Sequence, residues 1–225
     1  GARRFERLAQ RFQRTAVEFE QLVEKQRAVM VLLLTAALSA NAALITGLFA
    51  TGVDGAGVAL GDGATDTHYS ILSPAQQGIV INQAPTPGSW VANTAAQRWI
   101  WEAATGLPVN VIRTFRTTFD LTGLDETTAS LSGLWASDNL GLDVLINGVS
   151  TGNTSAGFSA LSAFTINFGF VAGVNTLDFQ VQDVGGGAGF MVSSLSDTAI
   201  SEPGMLAVFG PGLAGLGFAR RRRTS

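Results

Sequence analysis

Thr176-Leu177-Asp178-Phe179-Gln180-Val181-Gln182-Asp183 alternates in polarity along most of its length. Leu177, Phe179 and Val181 fall on one face of an extended chain, and Asp178, Gln180 and Gln182 on the other. Period two with polar residues turned outward marks a half-buried antiparallel strand. Thr117, Phe119 and Leu121 stand against Thr118 and Asp120 in the same way. The same reading gives short strands at 68–72, 78–82, 98–101, 111–121, 130–137, 142–146, 163–168, 176–183 and 189–195. Asn147-Gly148 separates Leu142-Asp143-Val144-Leu145-Ile146 from Val149-Ser150-Thr151. That dipeptide accepts positive φ at both central positions and predicts a two-residue hairpin. Strands at this spacing, with no helical period between them, predict a mainly β, antiparallel, two-sheet sandwich over residues 43–200.

Composition narrows the chemistry. The 225 residues contain no Cys and one His, His68, which excludes disulfides, thiol catalysis and a multi-His metal site within one chain. Between residues 43 and 200, Arg98, Arg113 and Arg116 stand against twelve Asp and Glu, a net of −9, and there is no Lys. An acidic, lysine-free middle is a poor partner for nucleic-acid phosphate.

The basic residues collect at the ends. Arg3, Arg4, Arg7, Arg11, Arg14, Lys25 and Arg27 share a segment in which Phe5, Leu8, Phe12, Ala16, Phe19 and Val23 recur at helical spacing. An apolar run from Ala28 to Ala40 follows, closed by the small-residue pattern Ala40-Asn41-Ala42. A basic flank, a short apolar core and an A-x-A site predict a helical signal segment over 1–42, cleaved between Ala42 and Ala43. At the other end Met205–Ala219 carries no charge and runs directly into Arg220, Arg221, Arg222 and Arg223. A helix of that length rises about 22 Å, short of the roughly 30 Å hydrocarbon core. The expectation is a short C-terminal transmembrane helix acting as a transient tether, its arginines held at the cytoplasmic face.

Residues 201–225 resemble the PEP-CTERM sorting signal of Gram-negative bacteria: a Pro-Glu-Pro motif, a short apolar helix and an arginine cluster. Here the motif reads Ser201-Glu202-Pro203, without the first proline. The resemblance implies export across the inner membrane and processing by an exosortase-type enzyme. Delivery would be to the cell surface or extracellular matrix. Trp135-Ala136-Ser137-Asp138-Asn139 with Asp143-Val144-Leu145-Ile146-Asn147-Gly148 resembles a run found in galactose-binding-like jelly rolls. Gly173-Val174-Asn175-Thr176-Leu177-Asp178-Phe179 is similar to a strand entry of the same fold, and Arg116–Leu121 to an earlier core strand. The fold implied is a jelly-roll sandwich; many such domains bind sugars and many are purely structural.

Candidate site residues follow from these patterns. Trp90, Trp99 and Trp101 would stack on sugar rings if their faces are exposed, and would otherwise pack the core, as Trp135 is expected to do. Asp138 and Asn139 would bond sugar hydroxyls or Ca²⁺. Asp62 and Asp66 are further weak calcium candidates, as is Asp54, against the alternative of Asx turns. His68 would bond a ligand or be held by Asp66. No G-x-S-x-G elbow is present, nor a phosphate loop: Gly185-Gly186-Gly187 is not followed by Lys. No cofactor is expected beyond possible Ca²⁺. The functional expectation is an exported, non-catalytic surface or biofilm-matrix protein that contacts exopolysaccharide. The alternatives are a purely structural, self-assembling matrix protein and, behind both, a glycan-active enzyme. If both ends are sorting signals, intact-mass analysis of the exported protein will show both removed; an exported form that keeps Arg220–Arg223 refutes the C-terminal processing step.

Overall fold

A computed structural model describes residues 2–37, 42–82 and 89–201. The expected C-terminal helix, Glu202, Pro203 and the arginine cluster lie outside them. The chain divides into two units.

In the first unit a single helix, α1 (Ala2–Ala37), runs for 36 residues. It holds neither Gly nor Pro, so nothing in its sequence interrupts the i→i−4 ladder. Phe5, Leu8, Phe12, Phe19 and Val23 are exposed along it, as the spacing predicts for one face. The helix is longer than the 3–27 segment that periodicity marks, because the apolar run after Arg27 continues it. No helix among the described residues is long and apolar enough to cross a membrane.

The second unit is built of antiparallel strands. They are β1 (Ala42–Ala43), β2 (Thr65–Leu72), β3 (Ala75–Val80), β4 (Ile100–Trp101), β5 (Ile112–Asp120) and β6 (Leu124–Asp138). They continue with β7 (Leu140–Ile146), β8 (Val149–Ser150), β9 (Ser162–Ile166), β10 (Val174–Gln182) and β11 (Gly189–Ser201). Hydrogen bonding follows the order β8-β7-β10-β5-β2-β3-β4-β11-β6-β9, with β1 added to β11. The path is thin at β4: two pairs join it to β3, Ile79↔Trp101 and Val80↔Ile100, and one joins it to β11, Phe190↔Ile100. There the sheet folds over on itself and becomes two layers. Across the gap Phe179 of β10 meets Trp135 of β6 at 5.4 Å, Phe164 of β9 at 5.6 Å and Phe190 of β11 at 5.1 Å between ring centroids. Phe115 of β5 stacks on Phe190 at 4.5 Å. Such ring pairs add about 0.5–1.5 kcal/mol each beyond the area they bury.

The expected hairpin forms. Asn147 and Gly148 adopt φ of 50° and 78°, and Ile146 pairs with Val149. Its asparagine also fixes the next loop. Asn147 Oδ1 accepts from Thr176 N–H, while its amide donates to Gly169 O and to Asn175 Oδ1, each at 2.8 Å. Asn175 in turn clamps both N–H and C=O of Val171. The sandwich-like motif residues Asn147-Gly148 and Asn175 are thus one polar network that ties the β7–β8 turn to the entry of β10. Gly141 has a different duty: a Cβ there would collide with the ring edge of Trp135 and with Ser155. The Gly lets the indole reach under β7.

Candidate functional site

The expectation of sugar stacking rests on the tryptophans. Trp99 and Trp101 are fully buried, and Trp90 is 8% exposed. The expectation of a stacking surface at these residues is therefore corrected: their faces are taken by packing. Trp90 lies 4.6 Å from Trp99 between centroids, and Trp101 5.5 Å from Phe115. The polar edges are satisfied internally, Trp99 Nε1–H donating to Val91 O and Trp101 Nε1–H to Pro108 O. The cause is local. β4 is only two residues long and is covered on both faces, so alternation does not expose one side of it. Trp90, read as a loop residue, folds back with Trp99 over Gly189, whose missing side chain leaves room for both indoles. Trp135 is core, as one of its two readings held.

The proposed calcium candidates near the start of the sandwich have protein partners instead. Asp62 pairs with Arg98. Asp66 is buried, and its two oxygens accept from Gly52 N–H at 2.7 Å and His68 N–H at 2.8 Å. Burial raises its carboxyl against the pull of those amides. Asp54 Oδ1 accepts from Ala56 and Val58 N–H, an Asx-type cap that holds its carboxyl low. His68 stacks on Phe49 at 3.9 Å, with Nδ1 3.5 Å from Asp66. These groups dock the 47–64 segment on the sandwich rather than offering a vacant ligand set.

Asp138 and Asn139 behave differently. They lie where β6 ends, beside the end of β10 and the start of β11. Asp138 pairs with Gly189, Asn139 N–H donates to Gln182 O at 3.0 Å, and Asn139 Oδ1 accepts from Val184 N–H at 2.7 Å. That backbone contact brings in a residue the motif reading missed, Asp183. It is 1% exposed, and its Oδ2 accepts from Asn110 N–H at 2.6 Å and Gly185 N–H at 3.0 Å. Asp138 is 4% exposed. In each of these two carboxylates Oδ1 is buried without a hydrogen-bond partner. Burial first, and then the negative charge of Asp183, push the Asp138 carboxyl up to about 6, against a lowering hydrogen bond from the Trp90 indole. Ile112 and Leu140 flank Gln182 on its two sides in the ladder, and both are exposed, as is Val184.

The Asp138 shift has a sign that can be measured. A carboxyl at 3.8 when unfolded and about 6 when folded favours the folded protein fully at low pH, and loses that contribution as pH rises through 6. In chelator, the stability difference between wild type and Asp138→Asn, followed by thermal melting, is expected to change between about pH 4 and about pH 7 in favour of the variant. A difference independent of pH contradicts the assignment.

No protein-family model matches the chain, and no curated protein matches it. Two solved structures are similar in part. One, a CBM35 from Paenibacillus barcinonensis, shares 14% identity over 58% of this chain and 93% of that one, with a TM-score of 0.33. The other, a family 35 carbohydrate binding module from an environmental isolate, shares 11% identity over 56% of this chain and 89% of that one, with a TM-score of 0.32. Likeness of this degree assigns no ligand to this chain, which stands as a mainly β antiparallel sandwich preceded in sequence by a helix.

Proposed function

We propose that the chain is an exported, non-catalytic surface or matrix protein, and that its jelly-roll sandwich, galactose-binding-like in its motifs, contacts exopolysaccharide. The observation that carries the binding role is the composition of one end of the sandwich. Half-buried Asn139 lies at an end of the sandwich where Ile112, Leu140 and Val184 are exposed, while the carboxylates of Asp138 and Asp183 are turned into the interior. Sugar rings offer apolar C–H faces and polar hydroxyl edges, and an end of this kind matches both. With the indoles committed to packing, the contact is shallow and made by aliphatic side chains and polar groups. The negative field of the sandwich disfavours a bare acidic polysaccharide and favours a neutral one, or an acidic one bridged by a cation.

The sorting half of the proposal rests on sequence. The 1–42 segment, with cleavage between Ala42 and Ala43, would direct export. Ser201-Glu202-Pro203 and Arg220–Arg223 would direct a transient membrane stage and an exosortase-type enzyme. Ala42 and Ala43 form β1 against Ile200 and Ala199, so cleavage there trims a short edge strand and leaves the core strands whole.

A purely structural role in the matrix is the second reading, and the burial of all four tryptophans favours it. Retention on immobilised exopolysaccharide separates the two. The binding role predicts retention of wild type and loss of most of it in Ile112→Asp and Leu140→Asp, both at exposed positions. Folded wild-type protein with no retention on neutral or acidic polysaccharide supports the structural role and ends the binding one.

A further inference from the structure

We propose that α1 is an interfacial helix: its residues 3–27 lie along the surface of an anionic phospholipid bilayer, apolar stripe inward and arginines among the headgroups. The proposal goes beyond polysaccharide contact and concerns the chain before any cleavage at Ala42.

The first argument is an uncovered stripe. At about 100° per residue, Phe5, Leu8, Phe12, Ala16, Phe19 and Val23 fall within an arc of about 80°. Every residue from 3 to 30 is exposed, and Phe5, Phe12 and Phe19 are 77%, 71% and 66% open. From Phe5 to Val23 the stripe is about 27 Å long, and a row of large apolar groups of that length gains by leaving water.

The second argument chooses the occupant, and it is charge. Residues 3–14 hold five arginines, Arg3, Arg4, Arg7, Arg11 and Arg14, against one acid, Glu6. Arg3, Arg7 and Arg14 stand opposite the stripe, and Arg4 and Arg11 run along one flank of it. Among the described residues no carboxylate pairs with any of the five; the ion pair in α1 joins Arg27 to Glu24, at 3.9 Å. The field of a charged surface reaches about 10 Å at 0.1 M salt, so an anionic bilayer acts on all five at once. A second copy laid on the stripe would meet Arg4 and Arg11 alone. Flanking arginines can also rest their stems on apolar surface while the guanidinium stays with the phosphates.

The third argument is continuity. Beyond Arg27 the same helix runs on through residues 28–37, which carry no charge. Residues 3–27 place a charged group at least every fourth position, so they do not cross a hydrocarbon core. Lying along its surface is the arrangement that keeps the arginines wet and covers the stripe.

The chain has no Cys, so a single introduced thiol takes a label cleanly. In the full chain, Ala9→Cys and Ala16→Cys put an environment-sensitive NBD dye on the stripe side. Gln10→Cys and Gln21→Cys put it on the polar side. Vesicles of phosphatidylcholine with about one-third phosphatidylglycerol supply the surface. The dye should shift to the blue at positions 9 and 16 and stay water-like at 10 and 21. Half-saturation should need at least about tenfold more lipid on pure phosphatidylcholine, at about 0.5 M salt, or in the triple variant Arg4→Gln, Arg11→Gln, Arg14→Gln. The salt arm decides the matter if the triple variant fails to fold. A blue shift without vesicles that grows with protein concentration gives the stripe to a second copy and overturns the proposal. A shift at all four positions, which means insertion, also overturns it, as does a shift at none. An equal response to neutral lipid, high salt and the arginine variant does the same, because the apolar runs then bind without the charges. Polysaccharide retention and processing of the ends are measured without vesicles, so their failure is told apart from failure here.

Discussion

The two layers of the sandwich are joined by rings. Phe179 on one layer and Phe190 on the other are both fully buried, 5.1 Å apart, and each touches further aromatics from the facing strands. Ladder hydrogen bonds do little to hold the layers together: among the described residues the strand pairing that joins them is the short passage through β4. Apolar burial and ring packing across the gap must do so. This demand governs what is left for the surface. Trp99, Trp101 and Trp135 are drawn inside, Trp90 closes the outer side of Gly189, and the faces that could have stacked on a sugar are spent.

A second scarcity shapes the electrostatics. Three arginines serve a domain with twelve acids, and each is fixed to one carboxylate by register or loop contact. Arg116 and Asp178 are cross-strand partners, which is why Asp178 is buried despite lying on the outward set of β10. Two groups among the remaining acids contrast. Asp54, Asp120 and Asp125 accept hydrogen bonds from nearby N–H groups and cap turns at the surface. Asp138 and Asp183 are buried with an oxygen to spare. Tertiary structure thus concentrates unsatisfied negative charge at one end of the sandwich.

Much of the fold is legible in the amino-acid sequence. Strict alternation located β5 and β10, and Asn147-Gly148 located the β7–β8 turn to the residue. β6 begins at Leu124, earlier than its apolar core, because Asp125, Glu126 and Thr127 carry no apolar period even though they pair with β11 or extend toward it. The two-residue strands β1 and β8 are too short to leave a periodic trace. The site was half legible. Asp138 and Asn139 stood out in a motif. Asp183 did not, although continuing the inward set Leu177, Phe179, Val181 by one more step places it inside. Trp90 was misread because its Pro- and Gly-rich neighbourhood suggests a surface loop, while its cover over Gly189 is a tertiary contact with no local signature.

The account makes the interior the owner of the aromatic side chains and leaves carboxylates, amides and aliphatic groups to meet a partner. Acrylamide quenching of tryptophan fluorescence tests this most directly. Four buried indoles predict blue-shifted emission, weak quenching in the native protein and no further protection when exopolysaccharide is added. Red-shifted emission that quenches readily, and that polysaccharide shields, would mean that indole faces line the surface and would contradict it.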